Sequence, residues 1–471
     1  MPLSALIGAL LLLAAAPAAP PPRAWTDGAI ATLELPLANP RFSPRHIRQA
    51  DYYQIPERVI YQSYPVYHPE REPPGYWQWL HQQSPQLAFD PATLHSPADW
   101  IRAGEIVFNA PVSFAPVFFS AQDLRNPAFY RETGMPVAAT GIVPFARWVI
   151  REKGKVELGS MGCATCHTRV LDSGVILPGA QGNNPNDRQG ARLMRLGARL
   201  DPTQTLERVR LFARQFEMPW LPDDPHRALR HQSLDQLIAH GEAIPPGASA
   251  RAHTSLLFPP QIPDLIGVGE RRYLDHTGLV KHRSIEDLMR YSSLVQDMLA
   301  YARYGDFPPL ATPTPGQGQR FSDAQLYALA QYLYSLQPPP SPHAANPLAP
   351  RGQLIFQRAG CHRCHPAPLY TNNKLIPVDG FRPAAPLPDV MNRRIGVDPR
   401  YTLQSRKGTG FYKVPSLKGL WYRSPLEHNG RIATLEDWFD PARLARVPGH
   451  EFGLQLPAAD KTALIAFLRT L

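Results

Sequence analysis

Cysteine is scarce in this chain of 471 residues: there are four, and two short motifs use them all, so any thiol chemistry must happen inside those motifs. Long basic runs are missing as well. Lys and Arg give a formal charge of +10, but they are scattered, which argues against nucleic-acid binding and for a basic exported protein. No segment beyond the amino terminus is long and apolar enough to be expected to cross a bilayer. Even the apolar run from Leu3 to Ala16 falls short of the ~20 residues a membrane span needs, and no Lys or Arg precedes it. Ala16-Pro17-Ala18 has the small-x-small pattern of a signal-peptidase site, so the sequence predicts a signal peptide over 1–18, export, and a periplasmic product without a transmembrane anchor. Proline, by contrast, is abundant at 54 residues, with clusters at Pro20–Pro22, Pro338–Pro340 and Pro383–Pro388. Long irregular segments should therefore join the helices.

The two motifs are Cys-x-x-Cys-His runs, Cys163–His167 and Cys361–His365. On a helix, residues three and four apart share a face. Cys163, Cys166 and His167 can thus meet one porphyrin together, and so can Cys361, Cys364 and His365. Covalent haem attachment uses this pattern: two thiols add across the porphyrin vinyl groups, and the adjoining histidine becomes the proximal iron ligand. A local disulfide in each pair, or zinc shared between the pairs, would not require histidine after the second cysteine in both places. The cofactors expected are two covalently attached c-type haems, with iron on His167 and His365.

The chain also repeats itself. Ala103-Gly104-Glu105-Ile106-Val107-Phe108 matches Arg351-Gly352-Gln353-Leu354-Ile355-Phe356, and the helical pattern Ala328–Leu336 aligns without gaps onto Ala463–Leu471. Between them, Pro263-Asp264-Leu265-Ile266-Gly267 precedes Leu274, His276 and Gly278, just as Pro415-Ser416-Leu417-Lys418-Gly419 precedes Leu426, His428 and Gly430. Helix starts follow at Ser284 and Thr434, both plausible caps. The expected plan is a Pro/Tyr-rich extension at 23–95, a first haem domain at 96–337 with an insertion at 109–161, a linker at 338–345 and a second haem domain at 346–471. Tyr61, Tyr64, Tyr67, Tyr76, Trp77 and Trp79 make the extension aromatic, suited to wrapping the haem domains or to docking a partner.

This ordered set, above all Val414–Gly419 followed by Glu427-His428-Asn429-Gly430 and Ala433-Thr434-Leu435-Glu436, resembles the bacterial di-haem cytochrome c peroxidase superfamily, which also holds the enzyme that matures methylamine dehydrogenase. Tyr370–Leu375 with Arg406–Tyr412 is similar to the rubber-oxygenase-like branch. The resemblance implies an all-α fold of two duplicated cytochrome c-like domains, one haem relaying electrons and the other meeting substrate. The chain departs from the peroxidases at three places. Leu274 stands where they carry a tryptophan between the haems, and Leu288 and the region of Met298 stand where they carry a glutamine and a glutamate. Gln296 and Asp297 are the nearest polar substitutes. A calcium ion between the domains is left open.

What each haem can do depends on its sixth ligand. For the second haem the candidates are Met391, His428 and His450. His428 has a counterpart in His276, so loop-orienting roles compete with ligation, whereas His450 has none and is the predicted distal ligand. For the first haem Met218-Pro219 looks like a ligating pair, yet methionine fills core gaps more often, and an open iron is expected. The predicted function is a periplasmic haem oxidoreductase acting on peroxide, oxygen or an organic substrate, supplied by a redox partner protein or a small-molecule electron donor. A pure electron carrier with both irons closed is the rival, and a sensor without turnover ranks behind both.

Overall fold

The computed structural model describes residues 20–251, 253–311, 313, 318–383 and 387–471; the predicted signal peptide lies outside them. Among the described residues no helix is long and apolar enough to cross a membrane.

Each half of the chain is built on a crossed pair of helices. The first pair joins Pro97–Asn109, started by a Ser96/Asp99 capping box with proline in the first turn, to Asp323–Ser335, started by a Ser322/Gln325 capping box. The second joins Ala349–Arg358 to Ala458–Leu468. A Cβ on Gly104 would fall on the Ala328 carbonyl oxygen, and one on Gly352 on the Ala463 carbonyl oxygen. The two crossings therefore need glycine for the same reason, close backbone approach, and at matching positions of the repeat. One turn further on, Phe108 meets Tyr332 and Phe356 meets Phe467, each with ring centroids 5.4 Å apart. The loops between also match: Leu274 N–H donates to Val280 O and Leu426 N–H to Ile432 O, around left-handed Gly278 and Gly430.

The expected all-α class is overturned. Four small antiparallel sheets are present among the described residues, and the fold is mixed α/β. The largest runs Ser63–Tyr67, Ile142–Glu152, Lys155–Gly159, so the extension and the insertion pair with each other across the middle strand. The middle strand is rich in Val, Ile, Phe and Trp, which favour a pleated surface, and buries residues on both faces. Lys153 and Gly154 separate the paired residues Glu152 and Lys155, with Gly154 at φ 83° and an irregularity in the pairing between Ile150 and Glu152, so the tip turns through a left-handed glycine beside a bulge. The aromatics of the extension pack on this sheet: Trp77 meets Trp148 at 5.1 Å and Tyr64 meets Trp79 at 5.3 Å.

Candidate functional site

The first Cys-His motif is a single helical turn, Cys163–Cys166, gripped on both sides. Gly162 before it has no room for a Cβ beside the Ala110 carbonyl, and Gly182 presses on the Cys166 carbonyl. Thr165 Oγ1 donates to Phe145 O at 3.0 Å, tying the turn to the inserted sheet. Neither pair of cysteines forms a disulfide; all four thiols are free. Burial pushes the Cys163 thiol up to about 12. His167 donates from Nδ1 to the Pro263 carbonyl at 3.0 Å, which fixes the tautomer and leaves Nε2 with its lone pair, the state a metal ligand needs. Burial also holds this imidazole neutral, down to about 4.

Beside this turn opens a cavity of about 1050 Å³, walled by Cys163, Cys166 and His167 and by apolar Leu274, Leu288, Leu329 and Leu333. Its described walls hold no methionine: Met218 is buried elsewhere. Of the two polar substitutes suggested by the sequence, Gln296 lines the cavity and donates to Met161 O at 3.1 Å. Asp297 does not line it; its carboxylate is taken up by Arg58 and by the Phe321 N–H.

The cavity holds a polar group that no motif announced. Lys407 Nζ donates to the Tyr291 hydroxyl at 2.9 Å and lies 3.5 Å from Asp275 Oδ2. Burial works against the ammonium, but Tyr291 and Asp275 outweigh it and keep Lys407 charged. Its neighbour in the wall, His253, is held neutral by burial and by Lys407, and its Nδ1 has no hydrogen-bond partner. Lys407 falls in the Arg406–Tyr412 stretch that marked the resemblance, yet only the fold brings it to Asp275 and Tyr291. Asp275 lies in the loop before helix Ile285–Ser293 and Tyr291 within that helix, which a π-helical stretch, Leu294–Met298, continues.

The second motif begins at left-handed Gly360 and forms a short 3-10 turn, Cys361–Arg363, rather than an α-helix. His365 Nδ1 donates to two carbonyls, Tyr370 O and Pro415 O, both at 3.1 Å. Pro415 is the repeat counterpart of Pro263, so both proximal histidines hang from the same loop position. Facing His365 is His450, with ring centroids 6.4 Å apart. Two metal–imidazole bonds of roughly 2.0 Å each, plus a ring radius on either side, come to about that separation. His450 has φ 47° and sits in a loop held by Arg443, which donates to Gly449 O at 3.0 Å and His450 O at 2.7 Å. Its ring is buried, flanked by Trp438 and Phe452, and Nδ1 has no hydrogen-bond partner. His428 has Nδ1 2.7 Å from Glu427 and its ring stacked on Tyr412 at 4.1 Å, with Nε2 buried and unpartnered, but it is His450 whose ring faces His365. Met391 Sδ accepts from Asn372 at 3.5 Å.

A covalently linked porphyrin fits these residues: free thiols at helical spacing, histidines with Nδ1 already committed, and an adjoining apolar cavity at the first motif. No family model matches the chain, and no curated protein does. Among solved structures, it is similar to hydrazine synthase from Kuenenia stuttgartiensis pressurised with xenon, at 18% identity over 45% of this chain and 72% of that one, TM-score 0.29. It is also similar to a MauG-like protein associated with microbial copper homeostasis, at 17% identity over 45% and 73%, TM-score 0.29. Overlaps that shallow carry no argument about function.

Proposed function

We propose that this chain is an exported haem oxidoreductase with two covalently attached c-type haems, one on Cys163, Cys166 and His167 and one on Cys361, Cys364 and His365, each serving a different purpose. One observation carries the division of labour: a cavity of about 1050 Å³ adjoins the first motif, whereas His450 stands 6.4 Å from His365 across the second. His365 and His450 would close the second iron and suit it to relaying electrons. The first would be left to bind peroxide, oxygen or an organic molecule. A haem held there supplies the redox chemistry. The chain's own residues supply the setting: Leu274, Leu288, Leu329 and Leu333 give the cavity its apolar wall, and the Lys407–Tyr291 pair holds protons there in a chain that lacks the peroxidases' glutamate. The two halves are cytochrome c-like domains of the di-haem peroxidase superfamily. Electrons come from a redox protein, whose acidic surface would suit the +10 charge of this chain, or from a small-molecule donor.

A second reading is favoured by one residue. His253 lines the first cavity with Nδ1 unpaired, and as sixth ligand it would close that iron and leave a pure electron carrier. Carbon monoxide binding to the reduced protein separates the two. One haem of the pair should bind it, and His450→Ala should let the second bind as well. A wholly low-spin protein that ignores carbon monoxide and cyanide, but responds after His253→Ala, would establish the carrier instead.

A further inference from the structure

A second cavity, of about 540 Å³, lies between the two proximal-histidine loops and includes both Pro263 and Pro415 in its wall. Each proximal histidine is therefore one hydrogen bond away from it. Three basic side chains are in its described wall, Arg271, Lys413 and Arg423, against the one carboxylate of Asp264, and burial together with the neighbouring Arg271 and Arg423 pushes the Lys413 ammonium down to about 7. That carboxylate is already engaged by the Tyr422 hydroxyl at 2.9 Å and the Ile266 N–H at 3.0 Å. The cations are anchored on backbone carbonyls: Arg271 on Asp264 and Ile266, Lys413 on Tyr273 at 3.1 Å, Arg423 on Ser416 at 2.7 Å and Lys418 at 3.1 Å. Carbonyls satisfy donors but cancel no charge. Arg423 Nε is buried with no hydrogen-bond partner and stays 3.9 Å from Asp264. Buried charge of one sign without a counter-charge is costly.

Calcium does not fit here. It takes six to eight oxygens, whereas the one carboxylate in the described wall, Asp264, is already engaged, and the backbone carbonyls of Asp264 and Ser416 are taken by Arg271 and Arg423. A divalent cation would add to the excess instead of relieving it.

We infer that this cavity is an anion site, taking carboxylate or phosphate-type groups that bridge Arg271, Lys413 and Arg423 between the two halves. Two sources share that chemistry: the propionate carboxylates of the porphyrins, which rests on the haem assignment above, and a free inorganic anion, which does not.

The test uses the haem-loaded protein, its Lys413→Met variant and, as control, Lys413→Arg, with both haem potentials measured while inorganic phosphate is added. If porphyrin carboxylates fill the site, wild-type potentials ignore phosphate, Lys413→Met lowers them because a nearby cation has gone, and Lys413→Arg restores them. If a free anion fills it, wild-type potentials fall as phosphate is added and Lys413→Met needs at least tenfold more. Potentials that ignore both phosphate and the substitution overturn the proposal, as does a response to calcium or its chelation. Should the exported chain carry no haem, the haem assignment fails by itself. Calorimetric phosphate binding to that chain, weakened at least tenfold in Lys413→Met, then supports the anion site, and no binding overturns it.

Discussion

The smallest unit that decides what the first cavity can do is the buried group Lys407, Tyr291 and Asp275. An ammonium and a carboxylate 3.5 Å apart, with side chains 9% and 4% exposed, are each costly to bury alone. Lys407→Met should therefore destabilise the protein by about 3 kcal/mol, because it strands Asp275. The double variant Lys407→Met/Asp275→Asn should recover most of that loss. Chemical denaturation of the four proteins in a double-mutant cycle measures the coupling, and additive losses would show that the pair is not a unit. None of this was legible in the sequence. Cysteines and histidines at haem spacing announce themselves through one short segment, whereas Lys407 and Asp275 are joined only by the path of the chain.

At the level of elements, duplication made part of the fold readable. Gly104 and Gly352 look like unremarkable helix residues singly, but their recurrence beside Phe108 and Phe356 marks them as matching positions of one repeat, and each lies against a carbonyl of the partner helix. Alanine at either position has to push two helices apart. We expect Gly104→Ala and Gly352→Ala each to cost about 1–3 kcal/mol as overpacking, seen as a lower thermal midpoint, with the Gly104 variant also perturbing the Soret band of the haem proposed at Cys163 and Cys166. Equal or higher midpoints would mean that the crossings are looser than described. The sheets were missed because the middle strand, Ile142–Glu152, is buried on both faces, so it lacks the alternation that separates a strand from a buried helix. The one local clue was the Lys153-Gly154 pair at the hairpin tip. Its partner strand, Ser63–Tyr67, lies far off in the sequence and read as an aromatic tail.

For the molecule as a whole, extension and insertion form one sheet, and Thr165 ties the first Cys-His turn to its middle strand at Phe145. The extension wraps as expected, with Trp25, Leu33 and Tyr52 in one core with Leu288, Leu326 and Leu329 and Ala38 N–H donating to Gly408 O of the other half, and through this sheet it also braces the first Cys-His turn. The outcome of assembly then depends on its order. With that brace in place, burial pushes the Cys163 thiol up to about 12, leaving almost no thiolate at neutral pH. Porphyrin offered to chain that has already folded should stay extractable by acidified organic solvent. Porphyrin offered to the unfolded chain and followed by folding should resist extraction, and mass spectrometry of the two preparations distinguishes them. On the haem reading proposed above, the hydroxyl–carbonyl contact at Thr165 joins the order of assembly to the chemistry of maturation: with the sheet formed first, attachment slows; with attachment first, the sheet settles over a finished site.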